Sequence, residues 1–249
     1  MDIQLLILFV FLTLIAEILG TVGGFGSSVF FVPLAGFFLD FHSVLGITVI
    51  LHLVSNISKI ALFGKAMNRR VLLLVGIPSM LCVIFGAWLS SFVETELLKL
   101  LLAIFLIMLS LFLLVKKKFE IEPTSFNAIT GGGVSGFIAG LVGTGGAIRG
   151  LTMAAFNLEK QVFIASSAMI DLMTDLSRSV IYFGQGYVHR HDLYLVPFLF
   201  GAAILGTWLG KRIVMRMKQP QFRSVVLIFV FAIGVVSLIG YFKNASVGG

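Results

Sequence analysis

Apolar runs separated by short polar stretches fill this chain, and the pattern of runs occurs twice. In the first half they are 3–19, 25–39, 44–63, 71–92 and 97–115; the second half answers with 126–142, 147–156, 162–183, 193–213 and 222–242. The third, fourth and fifth run of each half have the roughly 20 residues that a membrane-crossing helix needs, whereas the second is shorter. Each short run follows a glycine cluster, GTVGGFG at Gly20 to Gly26 and GLVGTGG at Gly140 to Gly146, about 120 positions apart.

The register extends beyond the glycines. Phe63-Gly64 corresponds to Phe183-Gly184, and GAWLS at Gly86 to Ser90 to GTWLG at Gly206 to Gly210, so the two tryptophans, Trp88 and Trp208, correspond. With one residue of slippage Pro78 pairs with Pro197, and Asn56-Ile57-Ser58-Lys59 with Asp175-Leu176-Ser177-Arg178. Several such elements in fixed order indicate duplication. The expected organisation is a first repeat over 1–120 and a second over 121–249, joined in one membrane domain.

Composition agrees. A hydrophobic fraction of 59%, a charged fraction of 12% and a mean hydropathy of +1.10 exclude an ordinary soluble domain. The fold class expected is an all-α polytopic membrane protein: two homologous halves of five hydrophobic segments each, with short Gly-interrupted helices. The first segment opens on Asp2, lacks a small-residue cleavage site and feeds into the repeat, so it reads as a helix and not as a signal peptide. Cys82, the only cysteine, lies in an apolar run, which leaves no disulfide framework and no thiolate metal site.

Basic residues indicate topology. Lys65, Arg69 and Arg70 follow the third segment, Lys116 to Lys118 the fifth, and Lys211, Arg212, Arg216 and Lys218 the ninth, while the other connections hold only single residues such as Lys99 and Arg190. The positive-inside rule puts the three basic loops on the cytoplasmic side. They share a side only if each Gly-linked pair of segments crosses an even number of times, as two spans or as a re-entrant hairpin. Each half then crosses an odd number of times, and the halves insert in opposite senses, an inverted-topology repeat in a cytoplasmic (inner) membrane with both termini on the periplasmic or extracellular side. The net charge of +7 belongs mostly to these loops, where it serves insertion and contact with anionic lipid and gives no evidence of a nucleic-acid partner.

Charges at membrane depth are functional candidates because each is costly to bury. They are Glu17, Lys59, Asp171, Asp175 and Arg178, with Arg149 beside the second glycine cluster. Lys59 and Arg178 correspond, each one residue after a serine, Ser58 or Ser177, and three after Asn56 or Asp175. Across a pseudo-two-fold axis two cations could face one anion. Alternatively Arg178 pairs with Asp175 or Asp171 on its own helix face, and Lys59 extends to the interface. Glu17, whose counterpart is Phe137, either carries a coupling proton or sits near the outer interface or pairs with a buried lysine; Asp171 and Asp175 are further proton-coupling candidates. Gly23, Gly24, Gly26, Gly143, Gly145 and Gly146, with the Thr144 hydroxyl, either present backbone N–H groups to an anion at the start of a short helix or let helices pack closely. The Lys-Ser/Thr of a phosphate-binding loop is missing. His52 has no second ligand near it in sequence and reads as a hydrogen-bonded or pore-facing imidazole, and His189 and His191 are too thin a signal for a metal. No catalytic constellation and no cofactor motif is present.

Short, Gly-interrupted segments at matching places in two halves mark the binding site of many secondary transporters. GTVGGFGSSVFFVP with its second copy GLVGTGGAIRG, the Asn-x-Ser-Lys and Asp-x-Ser-Arg stretches before Phe-Gly, and the Gly-x-Trp-Leu elements resemble the TauE/SafE sulfite exporter family of bacterial membrane proteins. The resemblance implies a transporter, not an enzyme, moving sulfite or small organosulfur anions such as sulfoacetate outward by alternating access with proton coupling. It places the substrate at the two glycine clusters with the polar faces around Asn56 and Arg178, where Ser58, Lys59 and Ser177 are further candidates; Arg149, where this sequence departs from the family's apolar residue, is an extra candidate anion contact. The alternative is an anion channel, or a carrier of another small anion such as a carboxylate, sulfate or thiosulfate. The partners expected are the small anion and the lipid bilayer, with a homodimer left open.

Overall fold

A computed structural model describes residues 2–24, 26–64, 67–116, 121–216, 228 and 230–242. These are helical, with α1 Ile3–Gly23, α2 Ser28–Ala35, α3 Phe41–Phe63, α4 Arg69–Val71, α5 Ile77–Ser90 and α6 Thr95–Val115 in the first half. The second half supplies α7 Ser125–Val142, α8 Gly146–Ala154, α9 Lys160–Gly184, α10 Val196–Val214 and α11 Val230–Phe242. No strand occurs among the described residues.

Local chemistry sets the boundaries. Asp40 caps α3 by accepting the His42 and Ser43 N–H groups at 3.1 Å, and Thr124 caps α7 by accepting that of Asn127 at 3.2 Å. Gly24 (φ 69°) and Gly143 (φ 83°) end α1 and α7 in the left-handed conformation, their N–H groups closing onto the carbonyls of Gly20 and Ala139. The glycine clusters thus begin as helix stops. A π-helical turn, Leu72–Gly76, joins α4 to α5 just before Pro78, whose ring removes an N–H and crowds the carbonyl one turn earlier. Its counterpart Pro197 sits in the first turn of α10, after the 3-10 turn Arg190–Leu195.

Among the described residues, six helical stretches are long and apolar enough to cross a bilayer: α1, α3, Arg69–Ser90, α6, α7 and Arg190–Val214. Large apolar side chains such as Leu73, Phe85, Met108, Val180 and Ile204 point outward, as a lipid-facing surface requires. The chain is a multi-pass membrane protein. At 25 residues α9 has the length of a span, but Asp171, Asp175 and Arg178 lie within it and are turned inward.

Helix packing follows a reciprocal pattern. α5 lies against α7, α10 against α1, and α3 against α9. A side chain at Gly136 or Gly140 would overlap the backbone of Ser79 or Val83, so α7 and α5 touch main chain to main chain. Gly86 of α5 meets Phe137 of α7, and Gly206 of α10 meets Glu17 of α1; the two glycines stand 120 positions apart, as do Glu17 and Phe137.

The connections sort into two ends. At one end Leu5, Leu8 and Phe37 to Asp40 line a cavity with His191, Asp192 and Tyr194, Ser90 bonds Tyr187 at 3.1 Å, and the Gln185 amide donates to the Ala87 carbonyl at 3.1 Å. At the other the Lys211 ammonium donates to the Leu62 carbonyl at 2.5 Å, the Asn68 N–H donates to Ser166 at 3.0 Å, and Val71, Ala128 and Met153 share one cluster. α1 is about 31 Å long and α2 about 12 Å, yet the chain after α2 is back beside the start of α1. α7 and α8 likewise return to one end. Arg69, Arg70, Lys211, Arg212 and Arg216 are all at the second end; Lys65, Lys117, Lys118 and Lys218 lie outside the described residues.

Candidate functional site

The polar faces of α3 and α9 meet in the centre of the molecule. His52, Ser55, Asn56 and Lys59 follow one face of α3 at helical spacing, and all are buried. Shifted by 119 positions, the same face of α9 reads Asp171, Thr174, Asp175 and Arg178. The two polar stripes look at each other.

Around Asp175 the bonding is dense. Arg178 donates from Nε at 2.9 Å and from a terminal nitrogen at 2.8 Å to Asp175 Oδ1, while the Asn56 amide donates to Oδ2 at 2.9 Å. The other guanidinium nitrogen donates to the carbonyls of Ala139 at 2.8 Å and Gly143 at 3.2 Å, at the C-terminal end of α7, where a cation also meets the negative end of the helix dipole. Tyr182 donates to the Gly140 carbonyl at 2.5 Å beneath it. Arg178 has paired with Asp175, one of the two arrangements its spacing allowed, and its other donors fix α7 to α9.

Glu17 is fully buried. Its two oxygens accept from the Ser27 and Ser55 hydroxyls, and the Lys59 ammonium stands 3.9 Å away. Lys59 therefore faces a buried carboxylate and does not reach for the interface. At that distance none of its N–H groups meets an acceptor within hydrogen-bond range among the described residues. Ser27 gives its single proton to Glu17, so the 3.1 Å contact between Ser27 Oγ and His52 Nε2 assigns the proton of that bond to the histidine. The other imidazole nitrogen is 3.6 Å from Asp175 Oδ2. Glu17, Ser27 and His52 thus form a buried hydrogen-bonded chain that ends 3.6 Å short of Asp175.

A second ion pair flanks this chain. Arg149 donates to Asp171 Oδ2 at 2.6 Å and closely to Oδ1, and its Nε donates to Ser167 at 3.3 Å. Beside it a cavity of about 10 Å³ is lined by Gly20, Thr21, Gly24, Gly26, Lys59, Ile164, Ser167, Ala168 and Asp171. That is room for one water and no more. The buried Thr21 hydroxyl makes no hydrogen bond among the described residues.

The glycines divide by role. A side chain on Gly143 would come within 2.7 Å of Leu45, one on Gly24 within 2.9 Å of Phe163, and one on Gly145 would overlap the Ser135 carbonyl, so these three are close-packing positions. Gly26 instead looks onto Arg149 and Asp171, each 3.6 Å from where its side chain would begin. Gly23 and Gly146 are the last residue of α1 and the first of α8. Thr144 is buried, and its hydroxyl makes no hydrogen bond among the described residues. Ser177 bonds the Met173 carbonyl of its own helix and Ser58 is half-buried; neither joins the cluster. Sequence reasoning missed Ser27, Ser55, Ser167 and the bridging place of His52, although the stripe of polar residues on an apolar helix was readable as a periodicity.

No curated protein and no solved structure matches the chain. The family model described as Sulfite exporter TauE/SafE matches residues 9–237, and the chain belongs to that family.

Proposed function

We propose that this TauE/SafE family member is a secondary transporter of sulfite and small sulfonate anions, exporting them by alternating access with proton coupling. One observation carries the reading: Lys59, Arg149 and Arg178 are buried together with Glu17, Asp171 and Asp175 where the two halves meet, which balances the charge at membrane depth. Structural ion pairs alone would leave no free donors. Here, among the described residues, the Thr21 hydroxyl makes no hydrogen bond and Lys59 stands 3.9 Å from Glu17, and both line one small cavity with Arg149 beside it. The anion would occupy an enlarged form of that cavity between Lys59, Arg149, Thr21 and Gly26. Arg178 holds the end of α7 and the charge of Asp175.

Electrostatics then give the coupling its sense. An anion added to a balanced, buried cluster is costly unless a carboxylate takes up a proton and releases its cation. Protonating Asp171 would free Arg149 for the anion, and by reciprocity the anion favours the proton. Anion and proton travel the same way, outward when the anion is concentrated in the cytoplasm. Glu17, Ser27 and His52 form a path along which a proton can pass toward Asp175.

The inverted repeat is part of the same proposal. It is supported by the return of each short helix to the end its partner left, and by the reciprocal contacts of Gly86 and Gly206. Trp88 lies near Ser90 at the Lys- and Arg-poor end, while its counterpart Trp208 lies at the basic end with Arg212 stacked 3.7 Å from its ring centre. The basic end faces the cytoplasm. The test is a thermal-shift panel on purified protein with sulfite, sulfonates, sulfate, thiosulfate and carboxylates. Sulfite or sulfoacetate should raise the transition, and Arg149→Ala or Thr21→Val should abolish the rise while the protein stays folded. A panel led by carboxylates, or an undiminished shift in both variants, would contradict it.

A further inference from the structure

The end opposite the basic loops carries a cluster that the transport site does not use. The 3-10 turn Arg190–Leu195 and the residue before it bring His189, His191 and Asp192 together so that one ligand atom of each lies within 4.8 Å of the others. His191 Nε2 is 3.4 Å from Asp192 Oδ1, and His189 Nδ1 is 3.7 Å from Asp192 Oδ2 and 3.9 Å from Asp40 Oδ2. Ligands on a tetrahedral zinc ion with bonds of about 2.0–2.1 Å stand about 3.3 Å apart, so small side-chain rotations would complete such a set. The two imidazoles lie nearly parallel, with ring centres 5.2 Å apart.

The second observation is electrostatic. Asp192 is only 3% exposed, and its Oδ2 accepts no hydrogen bond among the described residues. A buried carboxylate oxygen without a donor is costly, and a cation is the natural remedy. Asp40 adds a second carboxylate. The arrangement is not a nucleophile relay, because Ser43 (2.6 Å) and the carboxylates all approach the same nitrogen of His189. Asp40, His191 and Asp192 line a cavity of about 690 Å³ through which an ion can reach them.

We propose that His189, His191 and Asp192, with Asp40 or water as fourth ligand, form a binding site for a zinc-class divalent cation at the Lys- and Arg-poor mouth of the protein. Two imidazoles with one carboxylate suit Zn²⁺ better than the oxygen-seeking Mg²⁺ or Ca²⁺. Asp40 comes from the connection before α3 and the other three from the connection before α10, so the ion would tie the two halves together at this mouth. Binding does not depend on the transporter reading.

Calorimetry with Zn²⁺ on the full chain, purified without a polyhistidine tag, tests it. One ion per chain should bind, Mg²⁺ should not compete, and Co²⁺ should give the visible absorption of a tetrahedral site. His191 is 73% exposed, so His191→Ala removes a ligand without threatening the fold and should weaken Zn²⁺ by more than about 100-fold, beyond the loss typical of an outer-shell partner. Asp192→Asn should do the same. Absence of Zn²⁺ binding, or unchanged affinity in His191→Ala, would overturn the proposal.

Discussion

Replacing Arg178 by Met and Asp175 by Asn, singly and together, probes the junction between the halves. Arg178→Met removes two bonds to Asp175 and two to the end of α7, and leaves Asp175 with the Asn56 amide and His52 at 3.6 Å. Breaking a buried pair on one side costs about 3–5 kcal/mol, because the remaining charge stays unmatched in a medium that cannot solvate it. Against a total stability on the order of 5–15 kcal/mol that is a large fraction. Asp175→Asn strands the guanidinium, though the carbonyls of Ala139 and Gly143 still accept from it, so its cost falls at the lower end of the same range. The double variant removes both charges and should cost less than the sum of the singles by about 1–3 kcal/mol, the coupling expected of side chains in one network. Equilibrium unfolding in mixed micelles, followed by tryptophan fluorescence, reads these differences. Additivity within about 0.5 kcal/mol would refute the claim that Arg178 and Asp175 act as one buried unit.

Further outcomes follow from packing and topology. Gly86→Ala puts a methyl into the carbonyl of Phe137 and should separate α5 from α7 at a cost of about 3 kcal/mol or more, whereas Gly201→Ala, which meets nothing within 4 Å, should leave thermal stability unchanged. Equal melting of the two variants would remove close helix contact as the reason for that glycine. In a Cys82→Ala background, His191→Cys and Arg216→Cys should react with a membrane-impermeant maleimide from opposite sides, the second only from the cytoplasmic side. Labelling of both from one side would contradict the assignment of the ends.

Much of this architecture was readable because it is periodic. The apolar helical runs and the glycine stops that end α1 and α7 follow from spacing alone, and the Arg178–Asp175 pair lies at three residues on one helix, where partners are predictable. The Glu17–Lys59 pair was readable only as one of several options, since it joins α1 to α3 and depends on how far each helix is rotated about its axis. That rotation is set by contacts such as Gly206 on Glu17, which no linear pattern specifies. The glycine clusters were seen but their division of labour was not: whether a glycine reverses the chain, admits a neighbour or borders a cavity depends on what lies opposite. His52 looked isolated because its partners Ser27 and Asp175 are remote in sequence. The same holds for Asp192, whose burial against two histidines arises only when the α9–α10 connection folds onto the start of α3.

The central claim is that the buried cations and carboxylates bind an anion and a proton together. Its most direct test is luminal pH in vesicles containing the purified protein, recorded while a sulfite gradient is imposed and compared with protein-free vesicles to subtract the leak of sulfite's own uncharged form. Protons should enter with the anion, and Asp171→Asn, which leaves Arg149 free without a proton, should retain sulfite movement while weakening its proton dependence. Sulfite flux through the protein with no accompanying proton movement would contradict the account.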